Sequence, residues 1–292
     1  MRAYSLAWGE HRLDFAKRTC IMGVLNVTPD SFSDGGKFFT LDDAVAQGYK
    51  LFEDGADILD IGGESTRPFS NPVSEEEEIR RVVPVIEKLS KRIPIPISID
   101  TTKAGVAEQA IKAGASMIND VSCLSFDTKM AKIAVDSGVP VILMHMLGNP
   151  KTMQIAPIYD DLIGEIKTFL ENAMDQAENQ GISRSKIIID PGIGFGKTVG
   201  HNLMLIQRLH ELETLKAPIM IGTSRKAFIR NLLKDPTLED LNADSEMVAN
   251  GTQASVAAAI LNGAHIVRVH DVANTRVTVK IIDAIKNAQH FL

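Results

Sequence analysis

The chain has 292 residues, 45% apolar and 23% charged, and its 31 Lys and Arg against 37 Asp and Glu leave a formal net charge of −6. That balance excludes a disordered or collagen-like chain, and it argues against a dedicated nucleic-acid binder, which shows a basic face. A chain this long buries roughly three quarters of its unfolded surface and fits one α/β barrel or two smaller domains.

Residues 1–18 precede the first buried run and read as a small hairpin or lid over the bottom of a barrel. The first eight residues lack a basic start followed by a long apolar core, so they do not form a signal peptide. No stretch of about 20 apolar residues predicts a membrane span. The two cysteines, Cys20 and Cys123, make no disulfide framework, and the chain reads as cytoplasmic and reduced.

From there short Val- and Ile-rich runs recur at 20–25, 58–61, 95–99, 116–118, 139–144, 186–189, 218–221 and 265–269, the pattern of strands in a buried parallel sheet. Amphipathic segments alternate with them at 41–53, 75–91, 103–113, 128–137, 159–180, 202–215, 245–261 and 273–288, with an extra short helix within 223–245. Ser74 is the expected N-cap of the second segment, Pro84 should kink it, and the acidic run 75–78 reads as an outer first turn. Glycines such as Gly55, Gly114 and Gly138 stand where helices should stop. Eight strand–helix units in regular alternation predict a (β/α)8 TIM barrel, one domain over 1–292 with an N-terminal hairpin extension. A doubly wound sheet is the alternative.

Active sites of such barrels lie at the C-terminal ends of the strands. Those ends carry Asn26, Gly62 to Arg67, Asp100, Asn119 and Asp120, His145, Asp190, Gly222 to Lys226, and Arg268 to His270. Helix capping accounts for Asp120, Ser125 and Thr101. It does not account for Arg67, Lys226, Arg268 and His270 converging on one rim, which points to a small anion in a pocket at loops seven and eight. The segment 190–198 fails the Walker pattern, because the residue five before Gly196 is Pro191. Asp190 remains there as a buried carboxylate able to accept two parallel hydrogen bonds from an amino-pyrimidine edge, or, alternatively, to serve as an N-cap or a partner for Lys226. No metal-ligand cluster and no G-x-S-x-G elbow stands out.

Leu25-Asn-Val-Thr-Pro-Asp-Ser-Phe-Ser-Asp-Gly-Gly36 resembles the first signature of the dihydropteroate synthase family, and Asp60-Ile-Gly-Gly-Glu-Ser-Thr-Arg-Pro68 its second. Ser98 to Lys103, Ile118 to Asp120, Met144 to Met146, Asp190 to Lys197, Thr223 to Lys226 and Arg268 to Val272 match in order and spacing. The resemblance implies that p-aminobenzoate displaces pyrophosphate from 6-hydroxymethyl-7,8-dihydropterin diphosphate, giving 7,8-dihydropteroate in folate synthesis, with early C–O cleavage (SN1-like) and Mg2+ as cofactor. It further implies that Asn26 holds the metal and the diphosphate, that Arg268 and His270 bind the diphosphate, and that Asp190, Asn119 and Lys226 bind the pterin edge. Asp100 would lie near the developing positive charge, and Met144 and Arg268 would pack on the ring. Asp100, Lys226, Arg268 and Asn26 would thus carry the catalysis. Thr66, Arg67, Pro68, Phe195 and Ser224 would form the p-aminobenzoate side, where sulfonamides compete in this family. Loops 28–39 and 67–74 would close over the substrates, and the chain would be a homodimer through its last helices, with no nucleic-acid or membrane partner. The family often has glycine where this chain has Phe69, which bears on the shape of the p-aminobenzoate pocket. The alternatives are a pterin-binding methyltransferase module, which lacks the first-loop run and needs no diphosphate site, and a silent barrel that only binds a partner and would have lost the strand-end polar set.

Overall fold

The computed structural model describes residues 4–28, 40–64, 72–148, 153, 156–235, 237 and 240–291. Its parallel strands are β3 (Cys20–Asn26), β4 (Ile58–Gly62), β5 (Ile97–Asp100), β6 (Met117–Asp120), β7 (Val141–Met144), β8 (Ile187–Asp190), β9 (Met220–Ile221) and β10 (Ile266–Val269). They form one eight-stranded sheet in the order β8-β7-β6-β5-β4-β3-β10-β9, and a parallel bridge from Ile189 to Ile219 joins its two edges into a barrel. The expected (β/α)8 barrel is therefore the observed fold.

Period-two alternation sorts the strand residues between two environments. Outward residues such as Leu25, Leu59, Ile61, Ile99, Ile118, Leu143, Ile189 and Val267 pack in the large core beneath the helices. These helices are α1 (Leu41–Glu53), α2 (Glu75–Ser90), α3 (Ala104–Lys112), α4 (Met130–Ser137), α5 (Leu162–Asn179), α6 (Val199–Gln207), α7 (Ala227–Leu233), α8 (Glu246–Leu261) and α9 (Val272–Lys286). Inward residues at the strand starts, including Met22, Ile58, Met117, Ile142, Ile188, Met220 and Ile266, form a separate cluster with Leu6, Trp8, Leu13 and Phe15. Those four belong to or follow an antiparallel hairpin, β1 (Ser5–Trp8) and β2 (His11–Asp14). The N-terminal extension is thus a plug that fills the lower barrel with hydrocarbon, and polar inward positions begin only above it.

Several expectations are refined. Ser74 caps α2 as read from the sequence, accepting from the Glu77 N–H at 3.2 Å, and the helix runs continuously through Pro84. Glu78 is not part of an outer acidic face: it is wholly buried and pairs with Lys103 Nζ at 2.5 Å. The sequence periodicity of 202–215 covers two pieces, α6 and a 3-10 turn at Leu209–Leu215, because Arg208 leaves the helical path. Gly138 closes α4 at φ 67°, where a side chain would be strained. Cys20 and Cys123 are both free thiols. Among the described residues no helix is long and apolar enough to cross a membrane.

Candidate active site

Above the plug the inward positions turn polar. Asp100 pairs in register with Asn119, and Met144 with Asp190, so each pair sits side by side on neighbouring strands at the barrel mouth. They line a small cavity with Val121, Ile193, Phe195, Gly222, Lys226 and Arg268. One wall is apolar: Val121, Met144 and Phe195 cluster with Met146 and Met153. The other presents carboxylates, an amide and cations. Such a slot suits a flat heterocycle with a hydrogen-bonding edge.

Arg268 is the centre of the polar wall. Its Nε donates to Asp60 Oδ2 at 2.6 Å and its Nη2 to Asp100 Oδ2 at 2.6 Å, while Asp60 Oδ2 also accepts from Asn119 Nδ2 at 3.0 Å. Burial works against the charged guanidinium, but the two carboxylates more than offset it and raise its pKa. Burial likewise pushes the Asp100 carboxyl up, with Arg268 pulling it back. Asp190 is buried and raised for the same first reason; its Oδ1 accepts from the Gly192 N–H at 2.7 Å. Lys226 stands at the N-terminus of α7 with Nζ 4.1 Å from the Phe195 ring centroid, a cation–π contact. Burial first, then the positive charge of Arg268, push Lys226 down to about 8.

Asp100, Asn119, Met144, Asp190, Phe195, Lys226 and Arg268 are therefore brought together as the sequence reading expected. Ser224 and His270 form an adjoining pair, with Oγ 3.0 Å from Nδ1. Asn26 ends β3 beside Gly62, half-buried at the rim. Thr66, Arg67, Pro68 and Phe69 lie outside the described residues, as do 29–39 and 65–71 of the two loops. The expected caps Asp120, Ser125 and Thr101 do not cap a helix, since α3 and α4 start at the N-caps Lys103 and Lys129 without side-chain cap bonds. They brace loops instead: Asp120 accepts from the N–H groups of Ser122 and Leu124, Thr101 accepts from that of Lys103, and Ser125 Oγ donates to the Ser122 carbonyl.

Two residues escaped the sequence reading. Asp60 lies within an apolar run, yet its parity with Ile58 and Gly62 aims it inward; an unexplained carboxylate in a buried strand was the available signal. The second, Lys197, follows the glycine-rich turn. It is buried, and its Nζ lies 2.9 Å from His145 Nδ1 and donates to the Phe195 carbonyl at 3.0 Å. Burial pushes Lys197 down to about 7, and burial with the adjacent Lys197 charge pushes His145 down to about 3. His145 therefore stays neutral, with Nδ1 as acceptor and the proton on Nε2. Between about pH 6.5 and about pH 3 the unfolded chain binds a proton at this histidine that the folded chain refuses. Stability contributed here consequently falls as pH falls through that window. Urea titrations across it should show a stability slope shallower in His145→Gln than in the parent, by an integrated difference on the order of 1–3 kcal/mol.

This barrel, with a hydrogen-bonding slot and clustered cations at its mouth, matches the family of pterin binding enzymes over residues 22–270. The chain is 46% identical over 277 residues to dihydropteroate synthase of Synechocystis sp., covering 95% of this chain and 93% of that one. Among solved structures it is similar to Yersinia pestis dihydropteroate synthase with a sulfonamide drug complex (TM-score 0.89, 41% identity, 97% and 99% of the two chains). It is similar also to the Xanthomonas albilineans enzyme with 4-aminobenzoic acid (TM-score 0.87, 42% identity, 98% and 99%). The chain belongs to the dihydropteroate synthase family of enzymes.

Proposed function

We propose that this chain condenses p-aminobenzoate with 6-hydroxymethyl-7,8-dihydropterin diphosphate, giving 7,8-dihydropteroate and pyrophosphate. The observation that carries the reading is the buried Asp190, Asn119 and Asp100 set against the Met144–Phe195 wall in one cavity. Asp190 accepts the two parallel N–H bonds of the amino-pyrimidine edge, Asn119 and Lys226 complete that edge, and Met144 and Arg268 cover the ring faces. Phe195 and Ser224, with Thr66, Arg67 and Pro68, form the p-aminobenzoate side; the Xanthomonas relative with 4-aminobenzoic acid supports it.

In the reaction the methylene C–O bond breaks and its electron pair leaves with the pyrophosphate. The amine lone pair of p-aminobenzoate then forms the C–N bond and the nitrogen loses a proton. Arg268 and His270 stabilise the departing anion, with Ser224 orienting the histidine ring, and the Asp100 carboxylate faces the developing methylene cation. Among the described residues no three His, Cys, Asp or Glu side chains gather into a metal cage. A rim amide such as Asn26 fits Mg2+, which keeps its waters and is held largely by substrate phosphates. When bound there, the metal supplies positive charge to the leaving group.

The reading includes a homodimer through the last helices. Val277, Ile281 and Ile285 on α9 are 64%, 54% and 57% exposed at four-residue spacing, and Leu261 of α8 is 53% exposed, which supports an apolar contact surface. It also includes a cytoplasmic setting, in keeping with two free thiols. The test is direct: purified protein with Mg2+ should release pyrophosphate and form 7,8-dihydropteroate only when both substrates are supplied. Absence of product overturns the reading.

A further inference from the structure

We propose that Asp60 is a positioning residue that holds Arg268 by its Nε as a pivot, so that the outer guanidinium nitrogens exchange Asp100 for substrate without losing their anchor. The ligand's identity rests on the function proposed above; the pivot itself does not.

The two carboxylates on Arg268 are not equivalent. Asp60 is wholly buried and pairs in register with Ser98, two residues below Asp100 on β5. Asp100 is 9% exposed at its side chain and lines the cavity. A ligand entering from the barrel mouth therefore meets Asp100 and the outer edge of Arg268, with Asp60 behind them. The nitrogens differ in the same sense. Asp60 takes Nε, at the root of the guanidinium, and Asp100 takes Nη2, at its tip. The guanidinium is planar, so the Nε–H bond to Asp60 fixes the plane in which the outer nitrogens lie, while their outward hydrogens stay free to exchange one acceptor for another. Without ligand, Asp100 and Nη2 neutralise each other; when the Asp100 side chain turns away from the fixed guanidinium, the carboxylate and the cation become available together, one for the pterin and one for the diphosphate.

The cost of Asp60 argues that it serves this purpose. Its Oδ2 carries both hydrogen bonds, to Arg268 and to Asn119, and its Oδ1 has no hydrogen-bond partner among the described residues. A buried carboxylate with one oxygen unsatisfied is unfavourable, and an apolar residue would pack the position better, as Ile58 does one inward step below. What Asp60 provides is a fixed orientation for two side chains of the proposed pterin site.

Asp60→Asn keeps the shape and an acceptor while removing the charge. It is expected to raise KM for the pterin diphosphate at least about tenfold and lower kcat by a similar factor, with KM for p-aminobenzoate within about twofold. In an Arg268→Lys background the same substitution should cost clearly less than it does alone, since the anchored guanidinium is already gone and only Asn119 still loses its orientation. Unchanged constants, equal rises in both KM values with a lowered Tm, or fully additive losses overturn the proposal. A second measurement needs no substitution at Asp60. The Arg268 Nε–H, followed by 15N NMR and assigned with Arg268→Lys, should stay protected from exchange both without ligand and with 7,8-dihydropteroate bound. Loss of protection on binding overturns the pivot, whereas failure of 7,8-dihydropteroate to bind the parent protein overturns the functional reading instead.

Discussion

Asp190→Ala should weaken pterin binding by about 100- to 1,000-fold and leave p-aminobenzoate affinity within about threefold, read by calorimetry with each ligand. The carboxylate is buried at the end of β8, so the two hydrogen bonds it offers an amino-pyrimidine edge are charge-assisted and water does not compete for them. At about 1.5–3 kcal/mol per bond to a charged group, part of the loss recovered by relaxation, two orders of magnitude or more is the expected scale. The loss has a second source. Lys226, Lys197 and Arg268 all act on Asp190 electrostatically, and truncation leaves these cations without that counter-charge. Phe195 and Ser224 do not depend on that charge, hence the asymmetry between ligands. Asp190 Oδ1 also braces the Gly192 N–H, so the asymmetry has to be separated from a collapsed loop. Asp190→Asn does this: its carbonyl still accepts from Gly192, while its NH2 confronts the pterin donors, so pterin binding should fall nearly as far with the fold intact. Equal losses of both ligands in both variants would make Asp190 a loop brace and nothing more.

The barrel was legible because two periodicities alternate along the chain, and both are local. The run 58–61 announces β4, the heptad-like spacing of 41–53 announces α1, and neither needs knowledge of the rest of the molecule. The strand-end polar set was legible for the same reason, since the topology alone delivers every strand end to one rim. Asp60, Lys197 and Glu78 show what local pattern does not carry. Each is a charged residue whose partner lies far off in sequence: Asp60 meets Arg268 208 residues away, Lys197 meets His145 52 residues away, and Glu78 meets Lys103 25 residues away. In sequence Glu78 is one acid among four, and Lys197 is the end of a glycine-rich turn; only closure of the barrel shows that both face inward. The break after Gln207 was hidden because apolar spacing continues across it, the 3-10 turn burying Leu209, Leu212 and Leu215 at i, i+3, i+6.

Gly192→Ala should destabilise the protein by about 3–5 kcal/mol and displace the loop that carries Phe195, a larger loss than any single contact of that loop explains. Gly192 sits at φ +71°, where a non-glycine residue costs about 1–2 kcal/mol on its own. A Cβ there would also lie 1.9 Å from the His145 carbonyl oxygen, inside any tolerable contact, and that oxygen belongs to backbone at the end of β7. Neither side has room to yield. The His145 N–H donates to the Asp190 carbonyl at 2.9 Å, the Gly194 N–H to Asn202 Oδ1 at 2.8 Å, and the Tyr159 hydroxyl to the Gly196 carbonyl at 2.9 Å. The loop is thus pinned at three places, and moving it breaks bonds to buried groups. Gly200→Ala is the control: its Cβ would meet nothing nearer than Thr198 Oγ1 at 3.9 Å, in the first turn of α6, so alanine should be neutral or stabilising by less than about 1 kcal/mol. Thermal unfolding should therefore separate the pair by roughly 6–10 °C at about 2 °C per kcal/mol for a chain of this size. Steady-state kinetics of the folded fraction should show KM for p-aminobenzoate raised in Gly192→Ala and unchanged in Gly200→Ala. Equal Tm values would mean that the turn relaxes freely and that its alternating glycines do not hold Phe195 against the cavity.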